Sequence, residues 1–104
     1  MIELMQEVEE LVKAELNRAN KEFPLFRNIH EAMAVTEEEV YETSEEMKSL
    51  ADTFGHVKKS IFNDCYDYAL TGKLELDAVR LACEAIQVAA MARKFNMREE
   101  AENE

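Results

Sequence analysis

The chain has 104 residues, enough for one domain with a modest core, and chains this small and helical often complete their core by association. Its 12 Lys and Arg against 23 Asp and Glu give a net charge of −11, which argues against a phosphate-backbone (nucleic-acid) binder but leaves open a nucleotide held through a divalent cation. The two cysteines have no zinc-type spacing and fit a reducing compartment; the N-terminus is acidic, no apolar run is long enough for a membrane span, and the cytoplasm is the expected location.

Two glycines and one proline predict an all-α chain, and the punctuation divides it into four helices. The first runs from about Ile2 to Lys21, with Met5, Val8, Val12, Ala19 and Phe23 at helical spacing. Pro24 ends it, because the residue before a proline avoids the α region. Phe26 is expected to plug a bundle end. Asn28 can cap the second helix, with Glu31 three residues on as in a capping box. Ile29, Met33, Thr36, Val40, Thr43, Met47, Leu50 and Phe54 then alternate spacings of four and three, which predicts a bundle-facing stripe ended by Gly55. A third helix is predicted over about Val57 to Leu70, burying Ile61, Phe62, Cys65, Tyr66 and Ala69, with Gly72 closing it. The fourth covers about Leu76 to Asn96. Residues 1–97 form the single domain, and the charge run 98–104 is expected to fray. Cys65, Cys83, the tyrosines and the six methionines are expected as packing residues.

Within the fourth helix, Leu81–Ala92 (LACEAIQVAAMA) is apolar on nearly every side, as an interior helix would be. It is too apolar for a four-helix monomer of this size to cover. The expected architecture is therefore an antiparallel four-helix bundle completed by oligomerisation, as a homodimer or homotetramer. Only Glu84 and Gln87 interrupt the apolar run, three residues apart on one stripe. A carboxylate in such surroundings is costly unless something pairs with it.

The second helix carries six glutamates between residues 37 and 46, and a run of this kind is usually a solvated face. Position sorts them: Glu39, Glu42 and Glu46 lie beside the apolar stripe, whereas Glu37 and Glu45 do not. If the second and fourth helices pack together, Glu39 and Glu42 meet Glu84 and Gln87. Converging carboxylates repel, so a cation is expected among them, and an all-oxygen set suits Mg²⁺ or Mn²⁺ better than a soft metal.

HEAMAVTEEEVYE (His30–Glu42) with LACEAIQVAAMARKF (Leu81–Phe95) resembles the MazG-like all-α nucleoside triphosphate pyrophosphohydrolases, most closely their small phage and prophage members. The family pattern is EExxE on one helix and ExxD on a later one. Here EExxE falls on Glu38, Glu39 and Glu42, and the second motif on Glu84 and Gln87, an amide in place of the aspartate. The resemblance implies Glu39, Glu42, Glu84 and Gln87 as ligands of Mg²⁺. It implies Glu38 as a supporting group or water-activating base, a nucleoside triphosphate as ligand, and release of the monophosphate and pyrophosphate. Cationic help for the leaving group is sought among Lys58, Lys59, Arg80, Arg93 and Lys94, with Arg80 first for its place near the Glu84 stripe. The competing reading of Arg80 is a plain salt bridge. Glu84 and Gln87 equally fit a polar contact that fixes register inside an oligomer, in a non-catalytic interaction or regulatory protein of phage or prophage origin. No Glu-x-x-His occurs, which excludes a ferritin-type di-iron bundle, and neither His30 nor His56 has the setting of a phosphotransfer histidine.

Overall fold

Asn and Asp side chains, more than the glycines, set where the helices of this chain begin and end. In the computed structural model, which describes the backbone of residues 1–103 and the side chains of residues 1–97, there are three helices: α1 (Ile2–Glu22), α2 (Ile29–Phe62) and α3 (Tyr68–Asn103). Asn28 Oδ1 accepts from the Glu31 backbone N–H at 2.9 Å and caps α2 as expected. Glu31 reaches back one residue further than a capping box requires, to Arg27, whose Nε donates to its carboxylate at 2.6 Å.

The predicted break at Gly55 does not occur, and α2 runs through it for 34 residues. A glycine inside a helix costs only about 1 kcal/mol relative to alanine, which packing on α3 outweighs. The reversal comes instead at residues 63–67. Asn63 ends α2, Asp64 takes a left-handed φ of 52°, and Asp67 Oδ1 accepts from the Ala69 N–H at 2.9 Å to open α3. The predicted third helix is therefore not a unit. The first half of the predicted third belongs to α2, its last residues open α3, and Gly72 lies inside α3. Three helices replace the expected four. The charged tail expected to fray lies in residues 98–104, outside those whose side chains are described.

α2 and α3 form a long antiparallel hairpin, and α1 packs on the C-terminal half of α3. The core sits at that end: Val12, Leu16 and Ala19 of α1, Phe26 of the connecting loop, Ala32 of α2, and Ala90 and Met91 of α3. Phe26 plugs this end as anticipated. At the other end the hairpin is pinned by polar groups. Asp77, 2% exposed, accepts from Thr53 Oγ1 at 2.6 Å and from Lys73 Nζ at 3.2 Å, and Lys73 also donates to Thr53 at 2.9 Å. The molecule is a rod of 63 × 30 × 22 Å.

Several expected burials are overturned, all for one reason. Each helix has at most two neighbours, so a stripe that faces neither stays in water. Cys65 and Cys83 are exposed, as are Met1, Met5, Met33 and Met47. So are Ile29, Met33, Val40, Met47 and Phe54 of the predicted α2 stripe, and Ile61, Phe62, Tyr66 and Ala69 of the predicted third-helix face. Tyr41 and Tyr68 are exposed too. The stretch 81–92 is not wrapped all round, because Ala82, Ala85, Ala89 and Ala92 face solvent.

Candidate functional site

Glu39 and Glu42 stand three apart on α2, and Glu84 projects from α3 at the same level of the antiparallel hairpin. The structure brings the three together: one carboxylate oxygen from each lies within 4.8 Å of the others. Glu42 is exposed, while Glu39 and Glu84 are half-buried. Among the described residues, one oxygen of Glu39 and one of Glu84 are fully buried without a hydrogen-bond partner. A buried acceptor left unpaired is costly, and here two of them face other anions.

The electrostatics follow from that crowding. Burial first, then the charges of Glu42, Glu84, Glu38 and Glu15, hold the Glu39 carboxyl above the ordinary glutamate range. Burial, then the charges of Glu42 and Glu46, do the same to Glu84. A cation held among these carboxylates would offset their mutual repulsion. Three carboxylate donors suit a hard divalent ion such as Mg²⁺ or Mn²⁺.

Beside the cluster opens a groove of about 580 Å³ between the three helices and the α1–α2 loop. Glu39 and Gln87 stand on its wall, so it is continuous with the acidic cluster through Glu39. Arg18, Arg27 and Lys94 also line it, together with Phe23, Phe26 and Met91. Arg18 pairs with Glu15 and Glu22, and Arg27 pairs with Glu31. Lys94 is 3% exposed, its ammonium 4.9 Å above the centroid of the Phe26 ring. Burial pulls its pKa down, and the charge of Glu31 pulls the other way. The groove thus offers cationic groups and apolar, partly aromatic walls next to the carboxylates.

The remaining candidates are placed as follows. Glu38 is exposed and acts on the cluster through its charge on Glu39. Gln87 is half-buried and lines the groove, as does Glu39. Arg80 is exposed, and its charge acts on Asp77 and not on Glu84. Of the cations considered from sequence, Lys94 lines the groove. Arg18 and Arg27 were not among those candidates, since one sits in an ordinary acidic helix and the other in a loop. The Thr53–Asp77–Lys73 network also carried no sequence signal beyond the spacing of four between Lys73 and Asp77. No protein-family model, curated protein or solved structure matches the chain.

Proposed function

We propose that this protein is a divalent-cation-dependent nucleoside triphosphate pyrophosphohydrolase of the MazG-like kind. The observation that carries the reading is the convergence of Glu39, Glu42 and Glu84, with two buried and unpaired carboxylate oxygens, beside a cation-lined groove. Glu39, Glu42 and Glu84 would hold Mg²⁺ or Mn²⁺, with the Gln87 amide oxygen as a further donor on the groove side. When bound, that ion neutralises charge on the triphosphate, which three bare carboxylates would otherwise repel.

The chain's own residues supply the rest of the mechanism. The groove takes the nucleoside against Phe23, Phe26 and Met91. Lys94 and Arg27 meet phosphate oxygens, Arg27 exchanging part of its pairing with Glu31 for them. Glu38 accepts the proton of a water molecule as its oxygen attacks the α-phosphorus. The bond from that phosphorus to the bridging oxygen breaks, and pyrophosphate leaves with the bonding pair.

Gln87 favours a second reading of the same site, cation-dependent nucleotide binding without turnover, because an amide brings one negative charge fewer than a carboxylate. Calorimetry with Mg²⁺ and a non-hydrolysable triphosphate, paired with a pyrophosphate-release assay, tests both. Heat and pyrophosphate support hydrolysis, and heat alone supports the second reading. No heat with any common nucleotide refutes the site.

A further inference from the structure

α2 carries two seams, and only one is used within the chain. Ala32, Glu39, Glu46, Thr53 and Ser60 recur every seven residues, all buried or half-buried on the α3 side. The residue after each of them is Met33, Val40, Met47, Phe54 and Ile61. These large apolar side chains are 54, 50, 52, 48 and 53% exposed. The helix turns its more polar stripe inward and its apolar stripe out. One residue is about 100° of rotation, close to the angle between the two neighbours that a helix meets in a four-helix bundle.

We propose that the outward seam is the docking face for a second copy of this chain, the two α2 helices crossing antiparallel about a two-fold axis at Met47. Two features of α2 select this occupant. The seam is symmetric in position about Met47, so that reversing the helix sets Met33 against Ile61 and Val40 against Phe54, as an isologous contact requires. The charge along the helix is polarised. Residues 29–46 hold seven glutamates and no Lys or Arg, whereas residues 47–62 hold Lys48, Lys58 and Lys59 against the single Asp52. Antiparallel pairing lays the acidic half on the basic half, while a parallel pair would stack glutamates on glutamates. Any other partner would have to reproduce this alternation, which the second copy already has.

The seam is separate from the acidic site. Glu42 lies about 160° around the helix from Val40, so the docked copy leaves the carboxylates and the groove open. Failure of either proposal therefore leaves the other standing.

Sedimentation velocity and cysteine cross-linking test the pairing in the full chain, with exposed Cys65 and Cys83 replaced by Ser. The parent chain sediments as a dimer. Met47→Glu places a charge at the two-fold contact and weakens the dimer at least about 100-fold while helicity is retained. Val40→Cys with Phe54→Cys gives a covalent dimer on mild oxidation by oxidised glutathione, and Val40→Cys alone does not. A monomeric parent overturns the proposal, as does a dimer indifferent to Met47→Glu. Cross-linking by Val40→Cys alone also overturns it, by showing parallel chains.

Discussion

Replacing Glu84 by Gln keeps the side chain's size and removes one of three crowded charges. Two unit charges 4.8 Å apart, the largest oxygen separation in the cluster, repel by about 3.5 kcal/mol at an effective dielectric near 20 and by about 0.9 kcal/mol in bulk water. Exposed Glu42 pulls its pair towards the water value, and half-buried Glu39 holds its pair nearer the other. Allowing for this screening, Glu84→Gln stabilises the cation-free protein by about 1–3 kcal/mol at pH 7 and low salt, which raises the melting point by roughly 4–8 °C per kcal/mol.

The pH dependence fixes the sign. Glu39 and Glu84 have folded-state pKa values above their unfolded ones. Each therefore supports the fold while protonated, and that support is lost as pH rises through its folded value. The gain from Glu84→Gln is present at pH 7 and gone by about pH 4, below the ordinary glutamate value. Added Mg²⁺ reverses the ranking at pH 7. It stabilises the parent by about 4.1 kcal/mol at a thousand times its dissociation constant and leaves the variant nearly unmoved. Circular-dichroism melts at both pH values, with and without Mg²⁺, supply the four comparisons. A variant that melts lower than the parent by the same margin at pH 7 and pH 4 refutes the reasoning, since the carboxylates would then not be repelling one another.

Three further outcomes are expected. Thr53→Val removes the hydroxyl that Asp77 accepts from, and urea unfolding should show a loss of about 1–2 kcal/mol at pH 7. The Thr53 hydroxyl and Lys73 hold Asp77 below the ordinary aspartate range against the opposing effect of burial, so the stability it confers is present above about pH 4 and fades as pH falls through its lowered folded value; the Thr53→Val deficit should shrink over that range. Leu16→Ala empties part of the α1–α3 core and should cost about 2–4 kcal/mol in the same assay. Lys94→Met keeps the apolar stem over Phe26 but removes the cation from the groove; melting should be little changed, while calorimetry shows triphosphate affinity falling about tenfold.

Helix class, the Asn28 cap and the meeting of Glu39 and Glu42 with Glu84 were legible because each depends on local spacing. Three-residue steps put side chains on one face whatever the tertiary fold, and the level at which two helices meet follows once they form a hairpin. The position of that hairpin's turn was misread. Gly55 looked like a stop, but a helix flanked by packed turns absorbs one glycine, while Asn63, Asp64 and Asp67 supply a cap, a left-handed residue and a new start. Burial was the least legible property. The apolar periodicity of α2 is real, yet it marks a seam that no other part of this chain covers. The inner stripe includes Thr53, a polar residue outside the apolar stripe that the spacing predicts. The groove escaped notice because its cations come from α1, a loop and α3, places that only the folded chain brings together.

The Thr53–Asp77–Lys73 pin has a consequence for the acidic cluster further along the hairpin. Leucine-like contacts between two long helices tolerate sliding by a turn, about 5.4 Å, at little loss of apolar contact. Asp77 does not, because such slippage would carry its buried carboxylate away from the Thr53 hydroxyl, its donor on α2, while Lys73 travels with it on α3. The pin acts as a vernier stop: by fixing how far α3 has travelled along α2 at one site, it decides which rungs of the ladder coincide at Glu84, seven residues and so about 10 Å further along α3. Mutual repulsion among the acids alone would push α3 towards another rung, and this distant lock keeps them abreast.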